Sequence, residues 1–512
     1  MSIATQLTSI ASTKTAIKTA IEGKGQTVGS IPFANYAAKI TAITSGGPAA
    51  YVRPTDWLAM PTIAATEQKI AMLVAVYDIE PNWITFTVAG AYTVDWGDGS
   101  APENFAASTT ASHTYVYANI SSATATIRGY RQAIITVTPQ AGQNFTGFIG
   151  CGTAKHPSQP ATLTFINPYL DIIVSGPSLT NIIINGANSI LYGSALICER
   201  VEIKSCGTSA SLGVLGVSCF QGMKELRQVI YPATITANGA SLFSGCNQID
   251  TIPPFVLGTG VSITGMFNGC FALINNPAIS WAPSTGFTTA LQAFQNCGRL
   301  TDPKLTITGS VKMTITDNMF TGCAALVDMP NFDLSGVITA SSMFSNCYAL
   351  RNVVPLNLSA CTNMSSMFAS CYAMEIAPVI TTTSALINLS GTFGTCYTMT
   401  KVPNFYTNNV TTMSSIFANC TSLIDAGSLN ASAATTIGTP FTSCGSLSKG
   451  GLVGTNNNHT YANCRFSGTE LNTIYTNLSA TGAGKTITVT GNYGTTTDNP
   501  AIATAKGWVV TG

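Results

Sequence analysis

The chain has 512 residues, enough for about three domains, and only 8 % of them are charged, against roughly 25 % in an ordinary soluble domain. A net charge of +1 supplies no basic face to neutralise phosphates, so nucleic-acid binding is not expected. Mean hydropathy is +0.29, yet the longest apolar run, Ile70 to Tyr77, falls far short of the about 20 residues a spanning helix needs, so no membrane insertion is expected.

The first residues, MSIATQLTSIASTK, lack a basic start followed by an apolar core, which predicts no signal peptide and synthesis in the cytoplasm. Ile3, Leu7, Ile10, Ala11, Ile17 and Ile21 form a helical stripe that stops at Gly23-Lys24-Gly25. A second short helix is predicted from Phe33 to Ile43, and Gly46-Gly47-Pro48 breaks the chain after it. This hairpin, with Ala-Ile-Lys-Thr-Ala-Ile-Glu-Gly-Lys-Gly at 16–25, resembles the leading segment of bacteriophage tail-fibre and other tail proteins. The resemblance implies that residues 1–46 anchor the chain to other tail or baseplate proteins in a virion. So small a helical pair has too little core to stand alone, so a homo-oligomer is expected, a trimer by analogy with phage fibres.

Residues 47–140 are expected to form a β-sandwich. Tyr92-Thr93-Val94-Asp95-Trp96-Gly97-Asp98-Gly99-Ser100, with His113-Thr114-Tyr115 after it, resembles a PKD-type domain, with further strands predicted at Ala123 to Ile127 and Ala133 to Thr138. In its W-G-D-G turn, Gly supplies positive φ and Asp bonds its own turn. Asp95 and Asp98 are too few carboxylates for Ca²⁺, which takes six to eight oxygens, so no metal is expected. Residues 141–190, with strand-like stretches at Phe165 to Val174 and Asn181 to Ile184, read as a transition and N-terminal cap of a repeat region.

From Phe220 a unit F-x-x-C-x-x-L recurs ten times, at steps of 23 to 27 residues: Phe243-Cys246-Ile249, Phe344-Cys347-Leu350 and Phe417-Cys420-Leu423 are examples, and Phe220-Met223-Leu226 carries Met in the Cys place. Tyr192 reads as the start of a degenerate copy. In Ser342 to Leu350 the apolar residues fall at i, i+1, i+4 and i+7, which predicts a short helix or helical turn. The stretch Leu350 to Pro355 then reads as a short strand. Such a unit cannot bury its own face, but stacked copies can. The expected fold over 191–465 is therefore an α/β solenoid with a parallel sheet about 50 Å long, capped by 466–512. The cap should comprise a helix at Gly468 to Leu478, a strand at Thr486 to Thr490, a second helix after Asp498-Asn499-Pro500 and a last strand at Trp508 to Val510. The repeat, with T-N-M-S-S-M-F (Thr362 to Phe368) and T-T-M-S-S-I-F (Thr411 to Phe417), resembles the BspA-type leucine-rich repeats of bacterial surface proteins, which implies an adhesive or recognition role.

Nine of the fifteen cysteines share one repeat position. Thiols a repeat apart do not converge as metal ligands do, so they are expected to be buried, reduced and structural. The two residues after each repeat's Leu carry a charge in nine copies of ten, as in Asp328, Arg351-Asn352, Glu375, Lys401 and Asp425, and should face water. They are either a solvated strand face or a receptor-binding face for a host glycan or protein. Tyr348, Tyr372 and Tyr397 form a second stripe, suited to sugar or protein contact or to covering the core's edge. Three scattered histidines and the lack of any P-loop, G-x-S-x-G or H-E-x-x-H predict no enzyme and no cofactor. The expected function is a phage tail fibre or tail-tip protein that recognises a host surface through its repeats. The alternatives are a bacterial leucine-rich-repeat adhesin and a virion structural protein without receptor contact.

Overall fold

The computed structural model describes residues 51–79, 82–150, 168–184, 197–207, 213–258, 262–274, 279–281, 289–303, 313–330, 333–481 and 484–512. The anticipated helical anchor 1–46, Tyr192 and parts of the 141–190 transition lie outside them. The chain divides into two units, 1–54 and 55–512, and every strand and helix named belongs to the second.

The N-terminal part is all β. Strands β1 (Lys69–Val76), β3 (Tyr92–Asp95), β4 (Glu103–Phe105), β6 (Arg131–Pro139) and β8 (Tyr169–Ser175) lie in one sheet, and β2 (Asn82–Ala89), β5 (Thr110–Tyr115), β7 (Gly147–Ile149) and β9 (Asn181–Ile183) in another. The strand expected at Ala123 to Ile127 is instead a single 3-10 turn, Ser122–Thr124, started by the Ser121 hydroxyl accepting from Ala123 N. The W-G-D-G turn behaves as its residues dictate. Asp95 Oδ1 accepts from Gly97 N at 2.9 Å, and Asp98 Oδ1 from Ser100 N at 3.0 Å. At Gly97, with φ +72°, a Cβ would lie 2.2 Å from the Ile134 carbonyl oxygen, so only glycine fits.

Both sheets then continue into the repeats. In the first, the antiparallel ladder ends at β8, to which β10 (Arg200–Ser205) and then β11 (Gln228–Ile230) add in parallel. In the second, β9 adds in parallel to β7, and Ile182 bridges to Leu215 and on to Ala237. Sandwich and solenoid thus share two sheets, and one cluster of buried side chains runs from Ile70 to Trp508.

The coils carry short parallel ladders. They include β12 (Thr236–Ala237), β13 (Phe255–Leu257) and β14 (Ile279–Trp281); β15 (Leu356–Asn357) with β16 (Ile380–Thr381); and β17 (Asp425–Asn430) with β18 (Lys449–Val453). Single bridges extend the pattern, as in Ile315–Thr339–Asn363–Asn388–Thr412–Thr436.

The arcs holding F-x-x-C-x-x-L are not helices, which corrects the α/β expectation: the protein is mostly β with few helices. Ser342 (φ +55°) and Asn346 (φ +60°) sit in the left-handed region, and the equivalent residues do so in each copy from Phe220 to Phe417, for example Gly265 and Gly269 or Ser415 and Asn419. A left-handed residue every fourth position forbids an α-helix. Backbone donors alternate in consequence. Ser345 N bonds Ser342 O and Cys347 N bonds Phe344 O within the arc, while Phe344 N and Asn346 N each reach the next coil, to Met367 O and Ala369 O at 2.8 Å. The apolar spacing nevertheless points Met343, Phe344, Cys347 and Leu350 inward, all fully buried. The Phe rings stack from Phe220 through Phe441 to Tyr461, with centroids 4.9 to 5.9 Å apart.

The C-terminal cap comprises α1 (Gly468–Asn477), α2 (Ala501–Thr504) and a parallel sheet of β19 (His459–Thr460), β20 (Thr486–Thr488) and β21 (Val509–Thr511), close to the expected order. Ser467 caps α1 by accepting from Glu470 N. At its far end the Lys506 ammonium donates to the carbonyls of Tyr475, Thr476 and Leu478, as a cation at a helix C-terminus should.

Candidate recognition face

The residues after each Leu form a bridged ladder. Asp328 pairs with Asn352, and Ile376, Lys401, Asp425 and Lys449 succeed one another rung by rung. Neighbouring side chains therefore stand about 4.8 Å apart. Asp328, Arg351, Asn352, Glu375 and Lys401 are exposed, and Asp425 is half-buried. Asn352 Nδ2 donates to Asp328 Oδ1 at 2.5 Å, and Asp425 Oδ1 accepts from Gly427 N at 2.9 Å. Among the described residues no ion pair joins Arg351, Glu375, Lys401, Asp425 and Lys449. Ile376, Val379 and Ile424 are exposed between them, so the face mixes charge with apolar surface.

Tyr348, Tyr372 and Tyr397 stack on one another, with centroids 4.8 and 5.0 Å apart. Their inner faces are therefore spent on each other. The stripe offers ring edges and hydroxyls to solvent, and free ring faces only at its two ends. Phe271, further along, is exposed.

A groove of about 750 Å³ opens where the ladder meets α1. Its floor includes Ile376, Lys401, Asp425 and Lys449; its wall is Glu470, Thr473, Ile474 and Asn477 of α1. Gly454 N, donating to Asn477 O at 2.7 Å, ties that wall to the end of β18. Lys401 and Asp425 thus line a common hollow, whereas Arg351 and Glu375 stand outside it. Sequence reasoning missed the groove's other half. Its signal is Gly at 427, 450 and 451, where earlier coils carry Val or Pro, as at Val354 and Pro403.

The cysteines do more than fill space. Each Sγ from Cys246 to Cys444 in the repeat position donates to the Phe carbonyl of the preceding copy, as in Cys347 to Phe320 O at 3.2 Å and Cys420 to Phe393 O at 3.0 Å. All described cysteines are free thiols. Burial pushes their pKa up, to about 12 for Cys396 and Cys444.

Other titratable groups serve the fold. Burial raises the pKa of Asp98, but hydrogen bonds from Ser100 and His113 outweigh it and the carboxyl ends below its ordinary value. His113, 2.9 Å from Asp98, also stacks on Trp96. His459 is buried, with Nδ1 at 2.8 Å from Asn457 O and Nε2 unpartnered, and desolvation lowers its pKa to about 4. No group of three or more His, Cys, Asp or Glu is placed to hold a metal among the described residues. Likewise no described helix is long and apolar enough to cross a membrane.

No curated protein and no solved structure matches the chain. Two protein families do. Residues 148–270 and 194–327 match the BspA-type leucine-rich repeat region, and residues 314–428 and 352–452 match a family described as Mycoplasma protein of unknown function, DUF285. Neither span reaches residues 1–46, so these matches lend the tail-fibre likeness no support. The repeats of the solenoid are thus similar to BspA-type leucine-rich repeats over 148–327 and to the DUF285 family over 314–452.

Proposed function

We propose that the protein is a recognition module of a bacterial cell surface, an adhesin that binds an extended partner through the exposed rungs of its solenoid without catalysing a reaction. The observation that carries this reading is the bridged ladder itself. The backbone repeats, while the outward side chains at each rung differ in charge and size, and Arg351, Glu375, Lys401, Asp425 and Lys449 make no ion pair with one another. Repeat proteins present such surfaces to partners. The kinship of the repeats favours a bacterial surface over a virion, because one matched family is described from Mycoplasma and the tail-like segment belongs to neither match. The test replaces Arg351, Glu375 and Lys401 together with Ser and compares binding to intact bacterial cells. Exposed substitutions of this kind shift stability by about 0.5 kcal/mol or less each, whereas losing central contacts of an interface costs about 2 kcal/mol or more. Reduced binding at an unchanged thermal midpoint is the expected result; unchanged binding would sink the assignment of the face.

A further inference from the structure

We infer that the groove between the last rungs and α1 holds an extended polypeptide segment whose side chains carry both signs of charge, an inference that rests on the proposed recognition role of the rung face. The groove's shape comes from the glycines. At Gly427 a Cβ would lie 2.6 Å from Asn404 Oδ1, at Gly450 2.3 Å from Gly427 O, and at Gly451 2.5 Å from the Tyr461 hydroxyl. The local backbone therefore demands glycine, and the register between β17 and β18 shifts there, between Asp425 and Ser428. Bulges of this type recur where a sheet re-aims side chains beside a binding site. One consequence is that Gly427, Gly450 and Gly451 add no side chain to a floor that carries Asp425 and Lys449 on the same two rungs, walled by a helix that Gly454 and Lys506 hold in place.

Length and charge narrow the occupant. Four rungs, Ile376 to Lys449, span about 14 Å, the reach of four or five residues of extended chain. Along that line lie Lys401, Asp425 and Lys449, with Glu470 facing from α1. The sign alternates at each step. A ligand of one sign, such as a polyphosphate or a polyanionic glycan, would meet a repelling group beside every attracting one. An extended peptide with acidic and basic side chains satisfies all four, and an apolar position finds the exposed Ile376. A neutral oligosaccharide would want an aromatic platform, and none lines the groove.

The experiment selects a displayed random-peptide library on the full chain, with counter-selection on K449S/E470S, a pair absent from the cell-binding variant. Enriched peptides should combine acidic and basic residues, bind the parent at least about tenfold more tightly than K449S/E470S, and weaken as salt rises. The charge-reversed K449E/E470K should enrich a different set of charge patterns. Failure to find peptides that distinguish parent from K449S/E470S overturns the inference. So does a neutral-oligosaccharide array whose binding K449S/E470S abolishes. The groove and the wider face fail separately. If peptides are lost in K449S/E470S while R351S/E375S, which spares the groove, still binds cells, the groove assignment stands and the wider rung face falls; if R351S/E375S loses cells but no peptide is selected, the groove assignment alone falls.

Discussion

The N-terminal sandwich and the solenoid share sheets and a core, yet they hold themselves together by different means. In the sandwich and its junction, charged side chains are taken inside. Asp171 is fully buried and pairs with Arg200 at 2.9 Å; Arg200 also contacts Glu202, and Lys204 completes the chain. Glu199, nearly buried, pairs with Arg128, whose guanidinium lies 5.9 Å over the Trp57 ring. In the coils beyond Met223 no described Asp, Glu, Lys or Arg is buried, and the interior polar groups are Thr, His459 and Asn492. There the backbone and the thiols do the joining, one rung to the next. An aperiodic region can support a unique ion network because it occurs once; a repeated coil uses contacts that any neighbouring coil can reciprocate.

The largest effects should come from breaking each region by its own logic. Phe344→Ala removes a ring stacked at 5.5 and 5.7 Å on its neighbours and should cost about 3–5 kcal/mol in urea unfolding. Arg200→Ala removes the guanidinium that pairs with the buried Asp171 carboxylate and should cost a similar amount, about 3–5 kcal/mol. Hydrogen exchange sharpens the contrast. Because β10 and β11 belong to both regions, the Arg200 variant should loosen the first coils along with the sandwich, while the Phe344 variant should leave β1 and β6 protected. Equal loss of protection throughout in both variants would show a single cooperative block instead.

Acid should act through the cap. His459 titrates at about 4 when folded and at about 6.5 when unfolded. The unfolded chain binds the proton more readily, so stability falls as pH drops from about 6.5 to about 4, by about 3 kcal/mol at most. H459N, if it packs, should flatten that part of the stability–pH curve. A smaller effect is expected of the thiols. Cys347→Ala removes a donor to Phe320 O, which still accepts from Cys323 N. A loss of about 1–2 kcal/mol is expected, with Cys347→Ser closer to the parent than its size alone predicts.

Much of this was legible in the letters. The Phe–Cys–Leu spacing reports which side chains turn inward because burial repeats with the coil, and it does so whether the arc is helical or not. That indifference is why the helical reading failed. Spacing i, i+1, i+4, i+7 also fits a chain of turns, and the distinguishing signal was the residue two places either side of each Phe, mostly Ser, Asn or Gly. The W-G-D-G turn was readable because its constraint is local. The shared sheets were not, since β8 and β10 are joined across residues whose pattern looks like any other strand. Of the candidate face, the charged rungs were visible as a compositional anomaly. The groove was invisible, because it depends on where α1 docks as much as on the glycines beneath it.

One consequence of the thiol-to-carbonyl ladder concerns chemistry in air. A protein exposed outside a cell usually converts its cysteines to disulfides. Here the thiolate that oxidants and alkylating agents require is almost absent while a coil stays closed, since burial holds each thiol far above neutral pH. An intact coil is therefore chemically silent, and a frayed one is marked. With one such sulfur per coil from Cys246 to Cys444, alkylation mapped by mass spectrometry becomes a gauge of opening along the molecule's length, and the ends should be marked before the middle.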